Sequence, residues 1–375
     1  MKNHRLLFAV CSLLFIAGCG DMTRQSFWSG WFPDSGPKPS ASDAPAGHTG
    51  ATAKIPGHVK PARYSDLPGW KDDDHRYALR AFRNTCKAKV QYSGQLVADR
   101  QLLEEKCGML PKESAGRDEA RQWFEVHFQP YKIHDESGNA KGLFTGYYSP
   151  IIPACRQKTA QCSEPLMAPP TDGRNFKGIE RREIVSKQIG RPLYWAHIVD
   201  VQNIQIQGSG TIRLEDGSLV KLNFAGVNDM PFRSIGGQLQ EKGIRPEGGY
   251  SADAVWKHLK TNPALAREVI GNNQRYVYFQ EAQSCDVIGA LGVPLSKIRS
   301  VAIDNTLYSL GLPMYVDTTL SDGRRFRRLM VAQDTGGAIR GWVRVDIFFG
   351  SGDQAYDVAQ GQYAQGEKYI LIPKK

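Results

Sequence analysis

A mainly β chain with helices, divided into two domains, is what the sequence predicts, and three observations predict it. About 310 residues follow a low-complexity N-terminal stretch, too many for one small core. Alternating or apolar runs bounded by turn residues dominate from position 149 to the C-terminus. Helical spacing of apolar residues is concentrated in Tyr64–Phe128 and in two shorter pieces, Ile235 to Lys242 and Ser251 to Ile270.

The first residues form a targeting segment. Lys2 and Arg5 precede Leu6 to Ala17, a 12-residue apolar run too short to span a bilayer, and small residues then lead to a cysteine. Ile16-Ala17-Gly18-Cys19 is similar to the bacterial lipoprotein cleavage box. That resemblance implies a signal peptide over 1–18 and a lipidated Cys19 that anchors the chain through its acyl chains. By resemblance to lipoprotein sorting, Gly20 points to the outer membrane and a domain facing the periplasm of a Gram-negative bacterium; Asp21 comes one position too late for inner-membrane retention. From Cys19 to position 62 the chain is rich in Ser, Pro, Gly, Ala and Thr and cannot bury enough apolar surface to offset its entropy. It reads as a tether with a reach of roughly 35 Å.

Formal charge is +10, and without Lys2 and Arg5 it is +8, from 46 basic against 38 acidic residues. A basic chain is drawn to anionic polymers, and the lipobox removes nucleic acid from the partners expected. Seven cysteines become five when Cys11 is cleaved off and Cys19 is acylated. In an oxidising compartment Cys86–Cys107 and Cys155–Cys162 are plausible bridges, leaving Cys285, although spacing does not fix connectivity. The eight histidines are scattered without ligand spacing, so neither a metal nor another cofactor is expected.

WKDDDHRYALRAFRNTCKAKV reads as a helix with an acid-rich first turn, and RDEARQWFEVHFQPY as a second that stops before Pro130. GLFTGYYSP follows as an aromatic strand. Aromatic faces and hydroxyls are what a sugar cleft uses, while packing accounts for Phe144. Three β-like runs come next, LYWAHIVDVQNIQIQGSG, GTIRLEDGSLVKLNFAGV and RYVYFQEA, the second with an Asp-Gly hairpin turn. In IQGSG the glycines let a polymer backbone approach, and Gln207 and Ser209 can bond sugar hydroxyls. Beyond Val287 the runs SKIRSVAIDNTLYSLG, LPMYVDTT, FRRLMVAQDTGGAI, WVRVDIFF and EKYILI, with a hairpin signal in LSDGRR, suggest a small closed barrel.

Asp346 in WVRVDIFF supports two readings. In an alternating strand Val343, Val345 and Ile347 face a core while Arg344, Asp346 and Phe348 face out, which makes Asp346 a solvated strand residue. Set among Val345, Ile347, Phe348 and Phe349 it is instead partly desolvated, which raises its pKa and makes it a general acid. GSGDQA fits a dinucleotide fingerprint but leaves no room for the ribose-binding acid before Lys375. Asp353 after Gly352 is placed to cap a helix.

AQDTGGAIRG, VDIFFGSGD and VAIDNT, together with FTGYYSP, IQGSG and FRSIGG in order, resemble the motifs of the membrane-bound lytic murein transglycosylase A family with its three-aspartate domain. The match runs from about Tyr64 to the C-terminus. It implies a double-psi β-barrel built from a helical part at 63–148 and a three-aspartate part at 282–375, a second β-barrel inserted at 149–281, and a groove between the two. It further implies a lyase that cleaves the MurNAc–GlcNAc β-1,4 bond of peptidoglycan without water, giving 1,6-anhydro ends in cell-wall turnover. Asp346 is then the catalytic acid and base, Asp334 and Asp304 its supporting carboxylates, and Thr145, Tyr147 and Tyr148, with Gln207 and Ser209, groove residues. The partners implied are glycan strands, outer-membrane lipid through Cys19, and wall-synthesis proteins. Two rivals stand beside this reading, a muramidase that pairs Asp334 with Asp346 and a non-catalytic peptidoglycan-binding lipoprotein. The segment Cys155 to Cys162 and the hairpin near Asp322 have no counterpart in the motifs.

Overall fold

A computed structural model describes residues 55–88, 100–284 and 286–375. The leader, Cys19, the tether up to residue 54 and Cys285 lie outside the described residues.

The N-terminal part holds β1 (Val59–Pro61), three helices α1 (His75–Thr85), α2 (Arg100–Gly108) and α3 (Arg117–His127), then β2 (Phe128–Ile133) and β3 (Gly142–Ser149). The acids expected in one long helix divide their work. Trp70–Asp72 is a 3-10 turn, and Asp74 caps α1 by accepting from the Arg76 N–H at 3.2 Å. Asp73 accepts both Arg299 Nη1 and Nη2 at 2.7 Å and the Leu329 N–H at 2.8 Å, all buried. Removing one partner of such a pair leaves an uncompensated charge and costs about 3–5 kcal/mol. Leu79, Phe82, Trp123 and Phe124 of these helices pack on Tyr315, Leu329, Val331 and Leu371.

Next come β4 (Ile151–Pro153), β5 (Glu164–Ala168), α4 (Arg181–Ser186), β6 (Arg191–Ala196), α5 (Ile198–Gln207), β7 (Gly210–Arg213) and β8 (Leu219–Val227). Three helices, α6 (Ile235–Glu241), α7 (Ala252–Thr261) and α8 (Pro263–Gly271), lead to β9 (Val277–Glu281). Strands β4, β7, β8 and β9 form one sheet and β5–β6 a ribbon, joined by a bridge between Cys155 and Trp195. Both surround one apolar core that includes Ile152, Leu166, Ala196, Ile212, Leu222 and Phe279. The run LYWAHIVDVQNIQIQGSG is half strand and half helix, not all β. Helix α5 is buried on most of its circumference, so it lacks the polar face that marks a helix in sequence. His197 and the left-handed Gly208 (φ 80°) delimit it.

The last part supplies β10 (Ser300–Ile303), β11 (Pro313–Thr319), β12 (Arg325–Thr335), β13 (Val345–Ser351), α9 (Asp353–Gly361) and β14 (Tyr363–Pro373). Gly352, not Asp353, occupies the N-cap of α9, and Asp353 starts the helix. The expected hairpins in LSDGRR and LEDGSLV join β11 to β12 and β7 to β8. In space the order is β14-β11-β12-β10-β13-β3, and β14 also pairs with β3, which closes a six-stranded barrel. Two neighbouring pairs are parallel, β10 with β12 and β13 with β3. Parallel neighbours require long crossovers, and the one from β3 to β13 contains everything from β4 to β12. Val301, Met314, Met330, Val345, Ile347 and Ile370 fill the interior. Disulfides join Cys86 to Cys107 and Cys155 to Cys162.

Candidate active site

Strand register brings two of the aspartates together. Ala302 on β10 is the partner of Asp346 on β13 and of Asp334 on β12. With neighbouring strands about 4.8 Å apart, the two Cα atoms lie on the order of 10 Å from each other, with side chains on the same face. A bulge makes this so: Val301 pairs with Ala332 and Ala302 with Asp334, which leaves Gln333 as the extra residue. The Gln333 side chain turns the other way and donates to the Ala81 carbonyl at 2.8 Å and to Thr85 Oγ1 at 3.0 Å, fixing α1 to the barrel. Bulges re-aim side chains in this way beside active sites.

Each of the two readings of Asp346 is half right. Val345, Ile347 and Phe349 point into the barrel core and Asp346 points outward, as alternation requires. That outer face is nevertheless covered, and Asp346 keeps only 9% of its surface exposed. Its Oδ1 accepts the Thr145 hydroxyl at 2.5 Å, and Thr145 Oγ1 accepts Arg344 Nη2 at 2.7 Å. Burial lifts the Asp346 pKa above the usual carboxylate range, against the opposing pull of the Arg344 cation and the Thr145 hydrogen bond.

Asp334 is partly exposed and better supplied with donors. Oδ1 accepts the backbone N–H groups of Ala290 and Thr335, both at 2.9 Å, and Oδ2 accepts the Tyr147 hydroxyl at 2.8 Å. Desolvation still pushes its pKa up to about 6, with the nearby Asp346 adding to the rise. Tyr147 is held well above the usual phenol range by burial and by the two carboxylates, so it is a donor throughout the physiological range. Asp304 follows β10 and accepts from Thr306 N (3.1 Å), Thr306 Oγ1 (2.7 Å), Gly341 N (2.9 Å) and Arg340 Nη1 (3.4 Å). It ties down the loop that leads into β13.

The other expected groove residues sit where the segment carrying β4 to β9 meets the barrel. Thr145 is fully buried, so its hydroxyl serves Asp346 directly and is not an open sugar contact. Tyr148 is buried too; its Oη accepts Asn203 Nδ2 at 3.0 Å, and its N–H lies 3.4 Å from Gln207 Oε1. Gln207 ends α5 and Ser209 is buried. The glycines of IQGSG have local reasons: Gly208 caps α5, and a Cβ on Gly210 would lie 2.5 Å from Ile204 Cδ1. Lys221 Nζ donates to Ser149 Oγ at 2.6 Å and binds the two parts together.

Two residues on this face carry no motif signal. Arg344 reads in sequence as a solvated strand residue, yet it is half-buried and bonds Thr145. Tyr363 is the register partner of Thr145 on β14 and is 57% exposed, an aromatic face two strands from Asp346. Alternation along β14 could have suggested its orientation, but not its place beside β3.

The family model described as the MltA specific insert domain matches residues 143–280, and the one described as the 3D domain matches 299–372. The membrane-bound lytic murein transglycosylase A of Escherichia coli K12 is 33% identical over 249 residues, 63% of this chain and 67% of that protein. The Vibrio cholerae protein of the same name is 30% identical over 234 residues, 59% of this chain and 62% of its own length. Among solved structures, a membrane-bound lytic murein transglycosylase of Agrobacterium tumefaciens superimposes with a TM-score of 0.74 at 27% identity, covering 84% of this chain and 97% of that one. A lytic transglycosylase of Burkholderia pseudomallei is 30% identical with a TM-score of 0.58, covering 88% of this chain and 100% of that one. By fold, ordered motifs and sequence, the chain belongs to the membrane-bound lytic murein transglycosylase A family, whose members are named for lytic action on murein, the peptidoglycan of the cell wall.

Proposed function

We propose that this chain is a peptidoglycan lytic transglycosylase that cleaves the MurNAc–GlcNAc β-1,4 bond without water, with Asp346 as its single acid and base. The observation that carries the reading is the buried Asp346 carboxyl, raised in pKa and held at one oxygen by Thr145, on the face where Asp334 and Tyr147 also lie. Asp346 gives its proton to the glycosidic oxygen as the C1–O4 bond breaks. As carboxylate it takes the proton of the C6 hydroxyl while O6 bonds C1, closing the 1,6-anhydro ring and restoring the acid. One carboxyl suffices because the nucleophile belongs to the reacting sugar and has a high effective molarity. Asp334, with three donors around it, is suited to remain a carboxylate that steadies positive charge at C1.

The relatives are named membrane-bound, and among the described residues no helix is long and apolar enough to cross a membrane. We take the anchor to be acylated Cys19 in the outer membrane, the catalytic part to face the periplasm and the segment 149–281 to be a separate inserted domain. Glycan strands are the substrate, and wall-synthesis proteins are candidate partners. A second reading, hydrolysis with Asp334 as base for water, is favoured by one fact: both carboxyls are raised and share a face. Digestion of sacculi in ¹⁸O-labelled water separates them. Unlabelled anhydro ends are expected, and labelled reducing MurNAc ends would replace the transglycosylase by a muramidase.

A further inference from the structure

Thr145 can send its single proton in one direction only. Arg344 Nη2 donates to Thr145 Oγ1 at 2.7 Å, and a guanidinium has no acceptor atom. The Thr145 proton therefore points to Asp346 Oδ1, 2.5 Å away. If Oδ1 carried the acidic proton, Thr145 would accept from both Oδ1 and Arg344 Nη2, and its own proton would give up the Asp346 acceptor and turn away from both partners. Arg344 is itself fixed, since its Nη1 donates to the carbonyls of Leu143 (3.3 Å) and Val345, and Lys368 Nζ holds its carbonyl at 3.2 Å.

From this geometry we infer that Arg344 is a positioning residue of the reaction, acting through Thr145 to keep Asp346 Oδ1 an acceptor, so that Oδ2 alone gives and receives the catalytic proton. The inference rests on the proposed function and deepens it. In the first half-reaction the Oδ2–H proton moves to the leaving O4, whose bond to C1 takes its electron pair. In the second, Oδ2 takes the proton from the C6 hydroxyl as O6 bonds C1, so Asp346 ends as it began and no water is consumed. Using one oxygen for both transfers keeps the acid on one side of the sugar ring and removes a carboxyl rotation between steps.

The charged and titratable groups around the relay come from every strand packed against it. Arg344 shares the Asp346 strand, Asp334 lies on β12 and Tyr147 on β3, while Tyr363 and Lys368 of β14 flank Arg344 and Asp304 acts on Lys368. Of these, Arg344 and Thr145 pull the Asp346 pKa down. Losing either moves it up.

The test is a double-mutant cycle on soluble uncrosslinked glycan strands, compared at the pH optimum of each variant, with thermal unfolding as the folding control. Thr145→Val and Arg344→Gln are each expected to lower kcat about 10- to 100-fold, with KM nearly unchanged. Thr145→Ser should return activity to within a few-fold of the parent, and Arg344→Gln in the Thr145→Val background should add little. The alkaline limb of kcat/KM should move to higher pH in Arg344→Gln, a shift that a merely structural role would not produce. Multiplying losses in the double variant, or a serine variant as damaged as the valine one, would overturn the relay. A carboxyl ¹³C titration of Asp346 decides the matter without turnover, since an unchanged pKa in both single variants would overturn it as well. Hydrolytic ends from the parent protein would reject transglycosylation while leaving the cycle readable, because a hydrolase also needs the acid.

Discussion

Asp346 and Asp334 flank Ala302 from opposite sides of one strand, yet their surroundings differ. Asp346 has one hydroxyl donor and a buried setting; Asp334 is partly exposed and accepts two backbone N–H groups and a phenol. Burial favours the neutral acid in both, and the donors on each oxygen of Asp334 oppose it more than the single hydroxyl on Asp346 does. The same residue type on one face is thereby given two settings, and the proposed split into a proton carrier, Asp346, and a carboxylate, Asp334, rests on that difference.

The largest expected effect comes from Asp346→Asn, which removes the transferable proton but keeps shape. It should lower kcat/KM on sacculi by about 10³-fold or more in a turnover assay. Asp334→Asn should cost less, about 10- to 100-fold in kcat, because it disturbs charge and position but spares the proton. Equal losses would erase the distinction between the two.

Tyr147→Phe removes one of the three Asp334 donors. Since that donor lowers the Asp334 pKa, its loss should move the acidic limb of the pH–rate profile upward from about 6, with less than about a tenfold loss at the optimum. Tyr363→Ala should raise KM several-fold and leave kcat nearly intact if the exposed ring is a sugar platform.

The smallest effect is on stability. Asp334 has a folded pKa of about 6, above the roughly 3.9 of an unfolded aspartate. The folded state therefore binds more protons between these values, and stability falls as pH rises from about 4 to about 6. Partial exposure reduces the full shift to about 1–2 kcal/mol. Chemical denaturation across that window should show the slope in the parent and its absence in Asp334→Asn.

How much of this was legible in sequence follows from the reach of each signal. Alternation along WVRVDIFF gave the inward Val345 and Ile347 correctly because strand period is local. It could not show that the outward face is covered, since the cover comes from β3, about 200 positions earlier, through Thr145 and Tyr147. The family resemblance named Asp334 as a supporting carboxylate, but the Gln333 bulge that turns Asp334 to that face is held by Ala81 and Thr85 of α1. Helix α5 was hidden by its near-complete burial, and the Asp73–Arg299 pair by its separation of 226 positions.

The most direct test is mass spectrometry of muropeptides released from purified sacculi by three proteins without residues 1–19: the parent, Asp346→Asn and Asp334→Asn. The account predicts anhydro-MurNAc ends from the parent, the same ends in smaller amount from Asp334→Asn, and none from Asp346→Asn. Anhydro ends released undiminished by Asp346→Asn would contradict it and move the acid to another residue of this face.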